Sequence, residues 1–174
     1  MAPTLHTERL RLEPMAETHL DAMAALHADP EVMRYIGRSQ AHTRQQSTAL
    51  VNAWRQRFAA HGFGWFALIE RDSGVCVGAA SLQHFELKPG APLELAWRLS
   101  RAHWGHGYAT EAARELARWA IDDLDAPEIY AVARAANLAS LRIMEKIGMR
   151  YVGVEEHWGE PLPTYVLRAG QARG

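Results

Sequence analysis

Between Pro92 and Ile121 the hydrophobic pattern passes from period two to helical period across a short polar loop. Leu93, Leu95, Trp97 and Leu99 alternate with Glu94, Ala96 and Arg98, which predicts a half-buried strand. From Ala109 the apolar residues Ala109, Ala112, Ala113, Leu116, Ala120 and Ile121 recur at helical spacing. Glu111, Arg114, Glu115 and Arg118 take the opposite face, with Glu115 and Arg118 in i,i+3 pairing range. Trp104-Gly105-His106-Gly107-Tyr108 joins strand to helix. Glycines at a helix mouth let backbone N–H groups converge with no Cβ in the way. With the positive end of the helix dipole, they make a seat for phosphate.

The remaining pattern predicts a single α+β domain over residues 1–174. Glu8 to Glu13 alternates charge with leucine and reads as a first strand, punctuated by Pro14. Glu17 to Ala28 is helical and stops at Asp29-Pro30; Glu31 to Ile36 is a further helical turn. Thr43 to Ala60 is a long helix with Ala49, Leu50, Ala53, Trp54 and Phe58 as its buried stripe, ended by His61-Gly62. Gly64 to Glu70 and Val75 to Leu87 are strands joined by the turn Arg71-Asp72-Ser73-Gly74. Beyond the central unit come a strand at Glu128 to Arg134 and a helix at Leu138 to Ile147, with Asn137 as N-cap and Gly148 as stop. Tyr151 to Trp158 and Pro163 to Arg168 close the chain as an antiparallel pair.

Charge then narrows the function. With 19 basic and 20 acidic residues the net charge is -1, which argues against a nucleic-acid partner. No apolar run approaches the roughly 18 to 20 residues that span a bilayer, so no membrane partner is expected. Glu8, Arg9 and Arg11 stand where a signal peptide needs an apolar segment. The single cysteine, Cys76, lies in the apolar run Val75-Cys76-Val77 and reads as a buried structural thiol. The expectation is a cytoplasmic protein.

The glycine loop limits the ligand. A P-loop needs Lys-Ser/Thr after its last glycine, and here Tyr108-Ala109 follow Gly107. A dinucleotide fingerprint needs a third Gly or Ala where Thr110 stands, and an acid at the end of the next strand, where Arg134 stands. Another phosphate ligand, or a tight turn and nothing more, remains open. His103 and His106 are three apart on a loop without an acidic or cysteine partner, so no metal is expected.

The segment resembles motif A of the GNAT superfamily of acyl-CoA-dependent N-acyltransferases, whose loop reads Q/R-x-x-G-x-G/A. Gly105 and Gly107 take the glycine positions, and Ala102 stands where Gln or Arg is usual. Leu5-His6-Thr7-Glu8-Arg9-Leu10-Arg11-Leu12 and Ala28-Asp29-Pro30-Glu31-Val32-Met33 are similar to segments of the branch that acetylates ribosomal-protein N-termini. So are Trp104 to Ala112, Asn137-Leu138-Ala139-Ser140 and Glu145-Lys146-Ile147-Gly148-Met149. The resemblance implies one mixed, mostly antiparallel sheet of about seven strands, flanked by about four helices and splayed at its central strands.

It also implies acetyl-CoA as co-substrate. Pantetheine would lie along backbone at Trp97, Arg98 and Leu99, and pyrophosphate on the amides of Gly105, His106, Gly107, Tyr108, Ala109 and Thr110. Asn137 would meet pantetheine, Ser140 would lie near sulfur, and Lys146 near the nucleotide. Glu94 stands where many superfamily members carry a glutamate base, with His84 and Glu86 in reserve. The family's tyrosine acid falls at Met144, which leaves Ser140 as the candidate acid. The partner is an amine acceptor, protein N-terminus or small molecule, and the protein itself a monomer or homodimer.

Amine chemistry makes a base necessary. At pH 7 about a tenth of an α-amine is neutral, against about 0.04 per cent of a lysine amine. Acceptor choice is expected from Tyr35 to Arg44 and Glu155 to Pro163, where Glu155, Glu156 and Glu160 suggest either a solvated turn or a cationic acceptor. Trp54, Trp65 and Trp158 read as core residues or as the wall of an acceptor pocket. Two rival readings are a non-catalytic acyl-CoA-binding module and a nucleotide-binding regulator. Glu94 together with Ser140 favours the enzyme.

Overall fold

A computed structural model of the protein describes residues 3–170. Its eight strands are β1 (Leu5–His6), β2 (Leu10–Pro14), β3 (Trp65–Glu70), β4 (Cys76–His84), β5 (Leu93–Leu99), β6 (Glu128–Val132), β7 (Arg150–His157) and β8 (Glu160–Arg168). They form one sheet in the order β1-β2-β3-β4-β5-β6-β8-β7. Only the β5–β6 pair is parallel. The five α-helices are α1 (Leu20–His27), α2 (Pro30–Met33), α3 (Arg44–His61), α4 (Tyr108–Asp122) and α5 (Leu138–Lys146). The described residues thus hold one strand and one helix more than expected.

Both faces of the sheet are covered. Leu95 and Leu99 of β5 pack with Leu10, Leu68, Leu82 and Ile129 against α4, whose Ala112, Leu116 and Ala120 have no exposed surface. On the other face Trp65, Ala67 and Ala79 pack with Met23, Leu26, Val51 and Trp54 from α1 and α3. Each fully buried leucine stabilises the fold by about 1.5–3 kcal/mol. α3 begins with a reciprocal cap: Gln46 N donates to Thr43 Oγ1 (3.2 Å) and Thr43 N to Gln46 Oε1 (2.8 Å).

Three expectations change. The first strand is a small hairpin, β1 and β2, because Leu10 N donates to Thr7 Oγ1 (2.9 Å) and closes a turn at Thr7–Arg9. The strand beginning near Val75 ends at His84, where Glu86 and Leu87 adopt positive φ of 52° and 58°. Most consequentially, the polar side of β5 does not face bulk water: Ala96 and Arg98 are half-buried, and Glu94 is only 4 % exposed. Alternation reads as half-buried here because the polar members face a cavity and not bulk water.

β4 and β5 approach closely at Gly78. A Cβ there would lie 2.3 Å from the Arg98 carbonyl oxygen and 2.8 Å from Leu99 Cα. Only glycine lets the two strands pair at this point.

Candidate active site

β5 and β6 pair only at Leu93↔Ile129 and Glu94↔Tyr130. From Leu95 onward the edge of β5 has no partner strand on that side, as β6 ends at Val132 and the chain turns into α5. Arg134 holds this turn away from β5. Its guanidinium donates to both Glu160 oxygens (2.9–3.2 Å), to Ser39 Oγ (2.8 Å) and to the Gly37 carbonyl (2.6 Å). The parted strands open a cavity of about 710 Å3, within the range of small-molecule sites.

Glu94, Trp97, Arg98, Asn137 and Ser140 all line this cavity. Glu94 sits opposite Gln83 of β4, whose Nε2 donates to Glu94 Oε2 at 3.4 Å. Trp158 Nε1 donates to Glu94 Oε1, also at 3.4 Å. These two long neutral contacts do not replace lost hydration. Burial therefore pushes the carboxyl up to about 7, against the lowering effect of both donors and with a further push from Glu86. Such a group exchanges a proton near neutral pH, the property wanted of a general base.

The reserve candidates fare differently. Glu86 accepts from Trp158 N (2.9 Å) and Lys88 Nζ (3.0 Å), which hold its carboxyl below the usual range. His84 packs against His61 and Phe63, in a smaller pocket beside the cavity.

Asn137 caps α5, its Oδ1 accepting from Ser140 N at 3.3 Å. Ser140 Oγ accepts from Trp97 Nε1, also at 3.3 Å, which leaves its own hydrogen free to donate. Met144, buried one turn further along α5, lines the same wall. Lys146 ends α5, exposed and outside the cavity lining; its carbonyl accepts from Arg114 Nη2 (3.0 Å).

The glycine loop lies past the end of β5, after Leu99. Gly105 and Gly107 both adopt left-handed backbone, at φ 76° and 81°, and Gly107 is the N-cap of α4. Nothing lies within 4 Å of where a Gly105 Cβ would be, so the loop's face is open. An exposed helix start of this kind presents backbone donors and positive potential to an anion. Ala109 is buried, and the buried Tyr108 donates its hydroxyl to Glu70 Oε1. Its ring carries the Arg9 guanidinium 4.7 Å from its centre. Arg9 braces the loop: Nη1 donates to the His106 carbonyl (2.9 Å), and Nε and Nη2 reach Glu111 Oε2 (both 2.7 Å). In the sequence pattern Arg9 falls on a strand and Glu111 on the helix face opposite the apolar stripe. Their separation of 102 residues leaves no local signal for the pair.

The acceptor side is aromatic and basic. Trp54 and Trp65 stack at 4.3 Å, each both core and cavity wall. The Arg98 guanidinium lies 4.5 Å from the Trp65 ring centre and 5.2 Å from that of Trp54. Burial lowers Arg98 only to about 10, so it stays charged at neutral pH. Its Nη1 donates to His27 Nε2 (3.2 Å), which puts the His27 proton on Nδ1 facing Ser47 Oγ (3.1 Å). Burial, with Arg98 and His42 nearby, takes His27 down to about 3, hence neutral. Two of the acidic residues near the end of the chain are paired: Glu155 with His157, and Glu160 with Arg134. Cys76, half-buried, donates to the Gly78 carbonyl (3.5 Å), and burial pushes its thiol up, which suits a structural role.

A single mixed sheet parted at its central parallel pair, with a glycine loop at the mouth of the following helix, is the arrangement that the resemblance to the GNAT superfamily implies. Comparison with known proteins agrees. The chain matches the acetyltransferase (GNAT) domain family over residues 9–150, and it belongs to that family. It is 32 % identical to YkkB, an uncharacterized protein of Bacillus subtilis, over 92 % of this chain and 93 % of that one. It is 31 % identical to FsC-acetyl coenzyme A-N(2)-transacetylase of Aspergillus fumigatus, over 86 % of this chain and 66 % of that enzyme. Among solved structures, an acetyltransferase from Agrobacterium tumefaciens shares the fold at a TM-score of 0.81 and 27 % identity, covering 95 % and 94 % of the two chains. No helix among the described residues is long and apolar enough to cross a membrane.

Proposed function

We propose that this protein transfers an acetyl group from acetyl-CoA to a primary amine by direct attack of the amine on the thioester. The single observation that carries the reading is Glu94: a carboxyl with a pKa of about 7, lining the cavity at the point where β5 and β6 part.

The residues fit the donor. The open edge of β5 at Trp97, Arg98 and Leu99 offers backbone to the amides of pantetheine, and the glycine loop with the first turn of α4, Gly105 to Thr110, offers N–H groups to pyrophosphate. Asn137 and Ser140 stand on the opposite wall. Glu94 takes the proton from the ammonium or from the attacking nitrogen. The nitrogen lone pair forms the C–N bond, the C–S bond breaks, and the CoA thiolate leaves with a proton. Ser140, whose hydroxyl hydrogen is uncommitted, is the donor we assign to that sulfur, its own proton being restored from solvent as the thiol forms. The named fungal relative acts from acetyl coenzyme A, which supports the same donor. The five segments that resemble the branch acetylating ribosomal-protein N-termini bear on kinship; the acceptor is a separate matter.

Backbone amide exchange tests the donor site. Acetyl-CoA is expected to protect segments at Leu95–Leu99 and Gly105–Thr110. Stronger protection of these segments by ATP or NAD than by acetyl-CoA overturns the reading in favour of a nucleotide-binding regulator.

A further inference from the structure

Arg98 carries a charge that none of the described residues neutralises. Among the described residues no carboxylate lies within ion-pair distance of it, and the groups it touches are a neutral histidine and two indole rings. Its Nε is fully buried without a hydrogen-bond partner. A guanidinium held in this way loses hydration with no counter-ion to offset the loss, a cost commonly found where a ligand supplies the missing charge.

Its surroundings share the sign. Arg38 and Arg57 line the same cavity and have no carboxylate partner among the described residues, whereas Arg134 is matched by Glu160. Among the described residues Glu94 is the only other carboxylate on the lining. The donor does not claim this charge, since the anionic end of acyl-CoA belongs to the loop beyond Leu99 and pantetheine is neutral.

The position on the sheet adds a distance. Arg98 stands opposite Ala79, but its guanidinium lies against Trp65, which through Ser81 is level with Ala96. Glu94 lies on the same face of β5, and both side chains line one cavity. Ala96 and Glu94 are two residues apart, about 7 Å along a strand. An amine at Glu94 and an anionic group at Arg98 can thus belong to one small molecule.

We propose that the acceptor is a small amine that also bears a carboxylate, received by the planar fork of Arg98 on the Trp54–Trp65 shelf while its amine faces Glu94. A guanidinium meets a carboxylate with two parallel hydrogen bonds, which fixes orientation as well as affinity. This assignment rests on the acetyl-transfer reading and specifies its acceptor. It disfavours the amine of a peptide chain, whose α-carboxyl is already an amide.

Matched pairs decide it. Wild-type protein is given acetyl-CoA with an α-amino acid or its carboxamide, and with a longer ω-amino acid or its carboxamide; CoA release is read as kcat/KM. Removing the carboxylate lowers the pKa of the neighbouring ammonium, so intrinsic reactivity at neutral pH favours the carboxamide. At least a tenfold preference for the acid in one pair supports the proposal, the more so because it runs against that bias. Arg98→Gln should bring this ratio toward one whatever the absolute rate, and Arg98→Lys should restore part of it. Should Arg98→Gln fail to fold, inhibition of the wild-type protein by amine-free carboxylates serves instead, with none expected from the matching carboxamides. Equal use of acid and carboxamide, or preference for the carboxamide, overturns the proposal and leaves acetyl transfer standing. Transfer to no amine at all overturns both.

Discussion

Replacing Glu94 by Gln separates the stability of the fold from its chemistry. The side chain is 4 % exposed, and burial raises its pKa from 4.5 to about 7. The folded state therefore holds the proton more tightly than the unfolded chain does. As pH rises from about 4.5 to about 7 the wild-type protein loses stability, because folding then requires either a bound proton or a buried charge. At 1.36 kcal/mol per unit, a shift of about 2.5 units is about 3 kcal/mol. Gln keeps the shape and can still accept from Trp158 Nε1 and pair with Gln83, but it has no charge to bury. Glu94→Gln should match the wild type near pH 4.5 and be more stable by about 3 kcal/mol at pH 8, or about 6–12 °C in Tm. Urea unfolding at several pH values reads this directly, since the other titrating groups largely cancel in the difference. The same variant should lose about 100- to 10,000-fold in turnover. A stability difference that does not grow with pH would refute the claim that Glu94 is a neutral-range carboxyl, and the base assignment with it.

Trp158→Phe removes a donor that favours the charged form of Glu94, so the acid limb of the kcat–pH profile should move to higher pH, by up to about one unit. Gly107→Val forces a β-branched residue to φ 81° and brings a Cβ to 3.4 Å from Arg9 Nη2. It should cost about 1–3 kcal/mol and abolish acetyl-CoA binding in calorimetry, with far-ultraviolet circular dichroism unchanged. Gly78→Ala places a methyl group 2.3 Å from the Arg98 carbonyl and should destabilise the fold by at least the about 1–3 kcal/mol usual for overpacking, read by urea unfolding.

The unit around β5 was legible because its cues are local. A period-2 run, two glycines and a helical stripe lie within thirty residues, and the structure holds β5 at Leu93–Leu99 and α4 at Tyr108–Asp122. Glu115 and Arg118, predicted to pair, do so at 2.7 Å. The long helix α3 kept its predicted start at the Thr43 cap. What stayed hidden depends on residues far apart in sequence. Glu94 was a named candidate, but its burial depends on Trp158 and Gln83 closing over it, which alternation along one strand does not encode. Arg98 was singled out for its backbone only; its side chain acquires meaning from His27, Trp54 and Trp65, brought together by α1, α3 and β3. Arg134, noticed for not being an acid, anchors the turn that parts β6 from β5. Gly78 carried no signal at all, since its need for a bare Cα arises from β5 across the ladder.

The central claim is acetyl transfer in the cleft between β5 and β6. Acetyl-CoA labelled in its acetyl carbon, incubated with the protein and a panel of primary amines, tests it most directly by mass spectrometry of the products. A labelled acetamide should form in equal amount with free CoA, and should be almost wholly lost in Glu94→Gln under conditions where acetyl-CoA still binds. Bound acetyl-CoA without labelled amide from any amine, or full transfer by Glu94→Gln, would contradict it.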